Sequence, residues 1–322
     1  VLDLIIRKAF IMKKILFAVS AFSAALFSTA ASADISVSGS ARAVYVDAEG
    51  NSEGHVGGTI SFAMSTTTDG GVTISTSGQI TNDPDAAGGA GTASGMTALT
   101  FAFANGSITV ADDVAVPAGT GLVGELVGDA DSNQVTHTND VTLATDDGSG
   151  ISASTSVGDM TLKGVYFYDG GHLQNIDGGT TTGAGASLTV PLGDMSLVVS
   201  SSSVDANGTE DNSAGGALTM TAGNGTLSLG IETTNGDTAA TEGEAYSVSY
   251  STTLGGASVA VGYTGFDANR NTSQKTEVTV SQSLGGGASI FAEYSNLSGA
   301  GAAAPTQSTG EGVVAVGTKV SF

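Results

Sequence analysis

The chain has 322 residues, with 9 Lys and Arg against 31 Asp and Glu for a formal net charge of −22, 48 glycines, no cysteine and no tryptophan. Without cysteine, disulfides, zinc ribbons and thiol catalysis are excluded, and an exported fold has to rest on its hydrogen-bond ladder and packing. The excess of carboxylates repels phosphate backbones and argues against nucleic acid as a partner.

The first element, Met12 to Ala33, reads as a signal peptide. Lys13 and Lys14 give a basic start, an apolar run extends from Ile15 to Phe27, and Ala31-Ser32-Ala33 supplies a small-residue cleavage site. That run of 13 residues falls short of the roughly 20 that a spanning helix needs, which disfavours a retained anchor. Residues 1–11 precede the basic start and read as a mis-assigned upstream extension, so the mature chain is expected to begin at Asp34.

Beyond Asp34 there is no 18-residue apolar run and no 3.6-residue stripe, whereas period-two alternation recurs. Val56, Gly58, Ile60, Phe62 and Met64 form one such set, and Val259, Val261 and Tyr263 another. Sixteen strands are expected near 35–46, 55–65, 72–81, 97–104, 107–111, 150–157, 160–168, 182–190, 195–204, 214–221, 226–232, 244–252, 257–266, 275–283, 288–296 and 312–322. Their connections alternate in kind. Seven are tight, at residues 67–71, Asn105-Gly106, Gly158-Asp159, Pro191 to Asp194, Gly223 to Gly225, Leu254 to Gly256 and Leu284 to Gly287, and eight longer loops lie between. The fold class implied is all-β, a closed antiparallel transmembrane barrel over 34–322 with short periplasmic turns and long external loops. Closure pairs every backbone polar group, as hydrocarbon requires. On the first strand Ile35, Val37, Ala41, Ala43 and Tyr45 share one face, while Ser36, Ser38, Ser40 and Arg42 share the other and would line a wet lumen.

The export signal, the alternating hairpins and the final strand, Gly312 to Phe322, together resemble the general diffusion porins of the Gram-negative outer membrane, especially the glycine-rich acidic porins of alphaproteobacteria. The likeness covers the whole mature chain. It implies a homotrimer in outer-membrane lipid, a third external loop folded into the lumen, and an ending read by the barrel-assembly machinery through Phe322, Val320, Val316 and Val314. The third loop, 111–149, is the longest of the eight.

That loop is purely acidic, and Asp112, Asp113, Glu125, Asp129, Asp131 and Asp140 are its candidate constriction residues. Four basic residues, Arg42, Lys163, Lys275 and Lys319, alternate with the apolar face and would stand on the pore wall; Arg42, Lys275 and Lys319 fall on strands close to the closure point. Opposed charge of this kind orders polar solutes and admits small ions. The plainer reading is that the acids merely solvate an exposed loop and that the basic residues neutralise carboxylates such as Glu277 and Glu293. Carboxylate oxygens are also what calcium takes, but no spacing specifies a site, so neither cofactor nor metal is assigned. His55, His137 and His172 are scattered, and no GxSxG elbow, Walker loop or HExxH occurs, so no enzyme is expected. The function expected is passive diffusion of small hydrophilic solutes and ions with weak cation preference; the rival is a structural or adhesive surface protein without an open channel.

Overall fold

Strands with one apolar and one polar face can satisfy both their backbones and their side chains only by forming a sheet that separates two solvents, and a sheet without edges has to close. The computed structural model of the chain describes residues 33–48, 51–82, 92–94, 96, 98–115, 147–169, 181–206, 208–236, 243–268, 271–299 and 312–322. The regular elements among them are all strands. The upstream extension, nearly all of the signal segment and the middle of the third loop lie outside the described residues.

In chain order the strands are β1 (Ala33–Ala48), β2 (Asn51–Thr67), β3 (Thr73–Asn82), β4 (Thr92–Ser94), β5 (Ala98–Phe103), β6 (Gly106–Ala115), β7 (Asp147–Val157), β8 (Met160–Asp169) and β9 (Thr181–Leu192). They continue as β10 (Met195–Ala206), β11 (Thr209–Ala222), β12 (Gly225–Gly236), β13 (Gly243–Leu254), β14 (Ala257–Ala268), β15 (Asn271–Gly285), β16 (Ala288–Gly299) and β17 (Gly312–Ser321). All belong to one antiparallel sheet, and β1 pairs with both β2 and β17, which closes it. β4 and β5 share one place in the wall, since β4 pairs with Gln79–Thr81 and β5 with Thr73–Ser75 of the same β3, so the barrel has sixteen positions. The interval between those two pairings is bridged by a side chain: Thr76 Oγ1 donates to the Ala98 carbonyl at 2.7 Å.

The tight connections stand where expected, with adjustments. Gly255 and Gly256 have φ of +59° and +92°, the left-handed pair that a type I′ hairpin demands and that only glycine adopts without strain. The first β-hairpin after β5 turns on Ala104 and Asn105 rather than on Asn105-Gly106, because Phe103 already pairs with Gly106. Gly106 is instead a strand residue whose missing Cβ makes room for the Ser154 carbonyl.

Three of the eight expected long loops are short. Ala48 pairs with Asn51, Ala206 with Thr209 and Ala268 with Asn271, leaving two residues between partners in each case. The strands outrun the apolar alternation because their outward face near this rim is no longer greasy: Asp47, Asp205, Glu210 and Glu244 are exposed there. Asp205 and Glu210 stand directly opposite each other, a like-charge pair that water tolerates and hydrocarbon does not.

Side-chain alternation is continuous around the ring, because directly paired residues share a face. The outward face carries exposed Ile35, Val37, Ile60, Val110, Leu162, Val199, Ile231, Val261 and Val316. Tyr45, Tyr166, Tyr168, Tyr246, Tyr263 and Tyr294 belong to the same face toward the loop rim, with the Tyr246 and Tyr263 rings 6.1 Å apart. Phe62, Phe101, Phe103 and Phe322 belong to it toward the turn rim. Such paired aromatic girdles mark the two interfaces of a lipid layer.

Candidate functional site

The face opposite the apolar one is concave and built largely from hydroxyls and small residues. Ladder partners on it bond to each other: Thr59 with Thr81 at 3.3 Å, Thr100 with Thr109 at 2.9 Å, Thr67 with Thr73 at 3.0 Å and Thr219 with Ser228 at 3.4 Å. Toward the turn rim a groove of about 530 Å³ is lined by Thr221, Thr226, Ser251, Ser258, Thr279 and Ser281 among others. Hydroxyls donate and accept at once, so such a wall keeps water ordered without holding any one ion firmly.

Nearer the loop rim the inner wall departs from the wet lining expected. Val44, Val46, Phe291, Val313 and Ala315 form one buried apolar cluster around β1, β16 and β17. Ala111, Phe167 and Val204 form another on β6, β8 and β10, on roughly the opposite side of the ring. Phe167 is fully buried and lies over Gly183, whose missing side chain gives the ring its seat. Parity places all eight inward, so the inner face is not uniformly hydrophilic.

The four basic residues all share the inner face with the serines, but they do not gather as one patch. Arg42 and Lys319 are direct ladder partners across the β1–β17 closure. Lys163 is exposed and sits between Ser154 and Ser187. Lys275 is elsewhere: the ladder carries the Arg42 level through Lys319 and Ser289 to Ser283 of β15. Lys275 is eight residues farther along that strand, about 26 Å at 3.3 Å per residue. It is buried and its Nζ lies 2.5 Å from Glu277 Oε1, with Glu293 buried on the neighbouring strand. For Lys275, neutralisation by a nearby carboxylate describes the geometry better than membership of a basic patch.

Among the loop acids, Asp112 is exposed on β6 beside a register shift between Ala111 and Val114. The Asp113 side chain, and Glu125, Asp129, Asp131 and Asp140 entirely, lie outside the described residues. The final strand is outward at Val314, Val316 and Val320, and Phe322 is 72% exposed. Phe322 extends the ladder past β17: its N–H donates to Gly39 O at 2.9 Å and Gly39 N–H donates back to its carbonyl at 2.8 Å. A Cβ on Gly39 would stand 2.6 Å from the Phe322 ring.

Sequence reasoning passed over Glu232, which is 0% exposed on the inner face of β12. The signal was present, since Leu227, Leu229 and Ile231 fix the outward parity and Glu232 takes the opposite one. Among the described residues no group of three or more His, Asp or Glu gathers as metal ligands.

Comparison with known proteins agrees with this geometry. The family described as Gram-negative porin matches residues 18–302. No curated protein matches. Among solved structures, OmpT, an outer membrane protein of Vibrio cholerae, in its trimer form, superposes with a TM-score of 0.67 at 10% identity, covering 90% of this chain and 100% of that one. An anion-selective porin from Comamonas acidovorans gives 0.65 at 16%, covering 90% and 100%. A variant of the Rh. blastica porin gives 0.62 at 16%, with the same coverage. Since the family match spans most of the sequence, and its members are outer-membrane channels rather than enzymes, the chain belongs to the Gram-negative porin family.

Proposed function

We propose that this outer-membrane porin passes small hydrophilic solutes and ions by passive diffusion, with weak preference for cations. The observation that carries the reading is the hydroxyl-lined concave face of a closed sheet whose convex face is apolar. Water continuous through such a lumen needs no energy source and penalises apolar molecules. Cation preference follows from the imbalance of 31 acids against 9 bases, which lowers the potential at the mouths and raises local cation concentration.

The similar fold of the Comamonas porin, which is anion-selective, argues that selectivity resides in side chains and not in the wall. Here the acids assigned to it are Asp112, Asp113, Glu125, Asp129, Asp131 and Asp140, with Arg42, Lys163 and Lys319 on the wall. The same reading includes association as a homotrimer, as in the trimer form of OmpT, and recognition of the Phe322 ending by the assembly machinery. Purified protein in planar bilayers tests the whole: discrete conductance steps are expected, and a reversal potential under a KCl gradient displaced toward the potassium value. Silent bilayers with folded protein would favour the structural or adhesive rival, and an anion-directed potential would overturn the selectivity.

A further inference from the structure

One sector of the inner wall holds buried polar atoms that find no hydrogen-bond partner among the described residues. On β10, β11 and β12 the register aligns Ser202 with Ser213 and Thr234, and, one level toward the turn rim, Ser200 with Gly215 and Glu232. Ser213 and Thr234 bond to each other at 3.3 Å. Ser200 Oγ, Ser202 Oγ and both Glu232 carboxylate oxygens are buried without a hydrogen-bond partner. Ser202 is 5% exposed and Glu232 fully buried. Gly215 stands between Ser200 and Glu232, so no side chain separates the hydroxyl column from the carboxylate.

Native structures rarely leave four such atoms unsatisfied in one place unless an ion or water completes them. A buried carboxylate asks for a positive partner in particular, and among the described residues no basic side chain is its ladder neighbour: Gly215 stands on one side and Ala245 on the other. The donor set then decides which cation. Calcium wants six to eight oxygens, and magnesium a near-ideal octahedron that keeps several of its waters, and no group of three or more acidic or histidine side chains gathers among the described residues. A single carboxylate with neutral hydroxyls matches one positive charge.

We infer that Glu232, Ser200 and Ser202 form a resting site for a monovalent alkali cation, sodium or potassium, on the inner wall of β10–β12. The site rests on the channel reading above and gives its cation preference a location. Asp211, half-buried two residues from Ser213 toward the loop rim with one carboxylate oxygen also unpartnered, offers a preceding step for an ion entering from that side. Binding at such a site is strong enough to draw ions in and, with one charge, weak enough to release them.

Two measurements on the full barrel test this separately from the channel reading. Crystals soaked in thallium(I), a scatterer that substitutes for potassium, should show an anomalous peak at the Glu232 carboxylate that Glu232→Gln abolishes and Ser202→Ala weakens. A wild-type barrel without that peak, or a peak unchanged in Glu232→Gln, overturns the site even if the bilayers are silent. In bilayers, wild-type conductance should level off as KCl rises from low concentration, and Glu232→Gln should lose that saturation and lower the potassium-to-chloride permeability ratio. Conductance and reversal potential identical to wild type in Glu232→Gln would mean a protonated carboxyl bridged by water, and the inference would fall while the porin reading stood.

Discussion

At the scale of single residues, the abundance of glycine has a specific use. Aromatic rings lie across strands onto glycines at Phe322 over Gly39, Tyr246 over Gly265, Tyr294 over Gly312 and Phe167 over Gly183. Each pairing lets a ring cover backbone that a β-carbon would have pushed away, the device by which sheets compensate for glycine's loose backbone. Gly39 is the sharpest case, because its ring belongs to the last residue and the contact sits on the seam. Gly39→Ala should therefore destabilise the barrel by about 1–2 kcal/mol, seen as a lower temperature at which the compact unboiled form on a gel is lost. Phe322→Leu should shrink the cost of Gly39→Ala to what the Thr59 carbonyl, 3.0 Å from the added carbon, still imposes, whereas additive losses would mean that ring and glycine act independently. Gly216→Ala, whose added carbon meets only the Val198 carbonyl at 3.6 Å, should leave the transition where it was. These seats were not legible beforehand, since pairing a ring with a glycine requires the register of two strands distant in sequence.

At the scale of the strand, parity is the controlling variable, and it was legible almost everywhere. Val259, Val261 and Tyr263 point outward and Ser258, Ala260, Gly262 and Thr264 inward on β14, as two-residue alternation requires. Neighbouring substitutions should consequently diverge. Val261→Arg places a charge against hydrocarbon and should cost about 2–4 kcal/mol of folding stability, measured by denaturant unfolding in lipid vesicles. Ala260→Arg should leave stability within about 0.5 kcal/mol and instead lower cation preference; equal losses from both would contradict the assignment of faces. What alternation could not give was strand length. Near the loop rim the outward face turns polar, so Asp47, Asp205 and Glu210 look like loop residues although the ladder continues through them. The hairpin ends were clearer because left-handed glycines announce them. Gly256→Ala, at φ +92°, should cost about 1–2 kcal/mol and slow refolding into vesicles.

At the scale of the whole molecule, a closed wall with greasy exterior and hydroxylated interior explains the composition that looked odd at first. No large core exists to be filled, so 6% aromatic residues suffice for two girdles and a few inner contacts. The same architecture explains why charge could be read only in part. Arg42 and Lys319 were brought together by a closure that joins the two ends of the sequence, whereas Lys275, also near those ends, was carried eight residues away by the stagger of tilted strands. Glu232 went unnoticed because a solitary acid on an otherwise ordinary strand has no spacing to betray it.

The division of faces is tested most directly by single cysteines, which the chain's lack of native cysteine makes unambiguous. Ser258→Cys, Val259→Cys, Ala260→Cys, Val261→Cys, Gly262→Cys and Tyr263→Cys would be treated in membranes with a charged, membrane-impermeant thiol reagent while conductance is recorded. Reaction at 258, 260 and 262, each with a fall in current, and protection at 259, 261 and 263 is the predicted pattern. Uniform reaction along the strand, or labelling at the odd positions alone, would contradict a water-filled barrel.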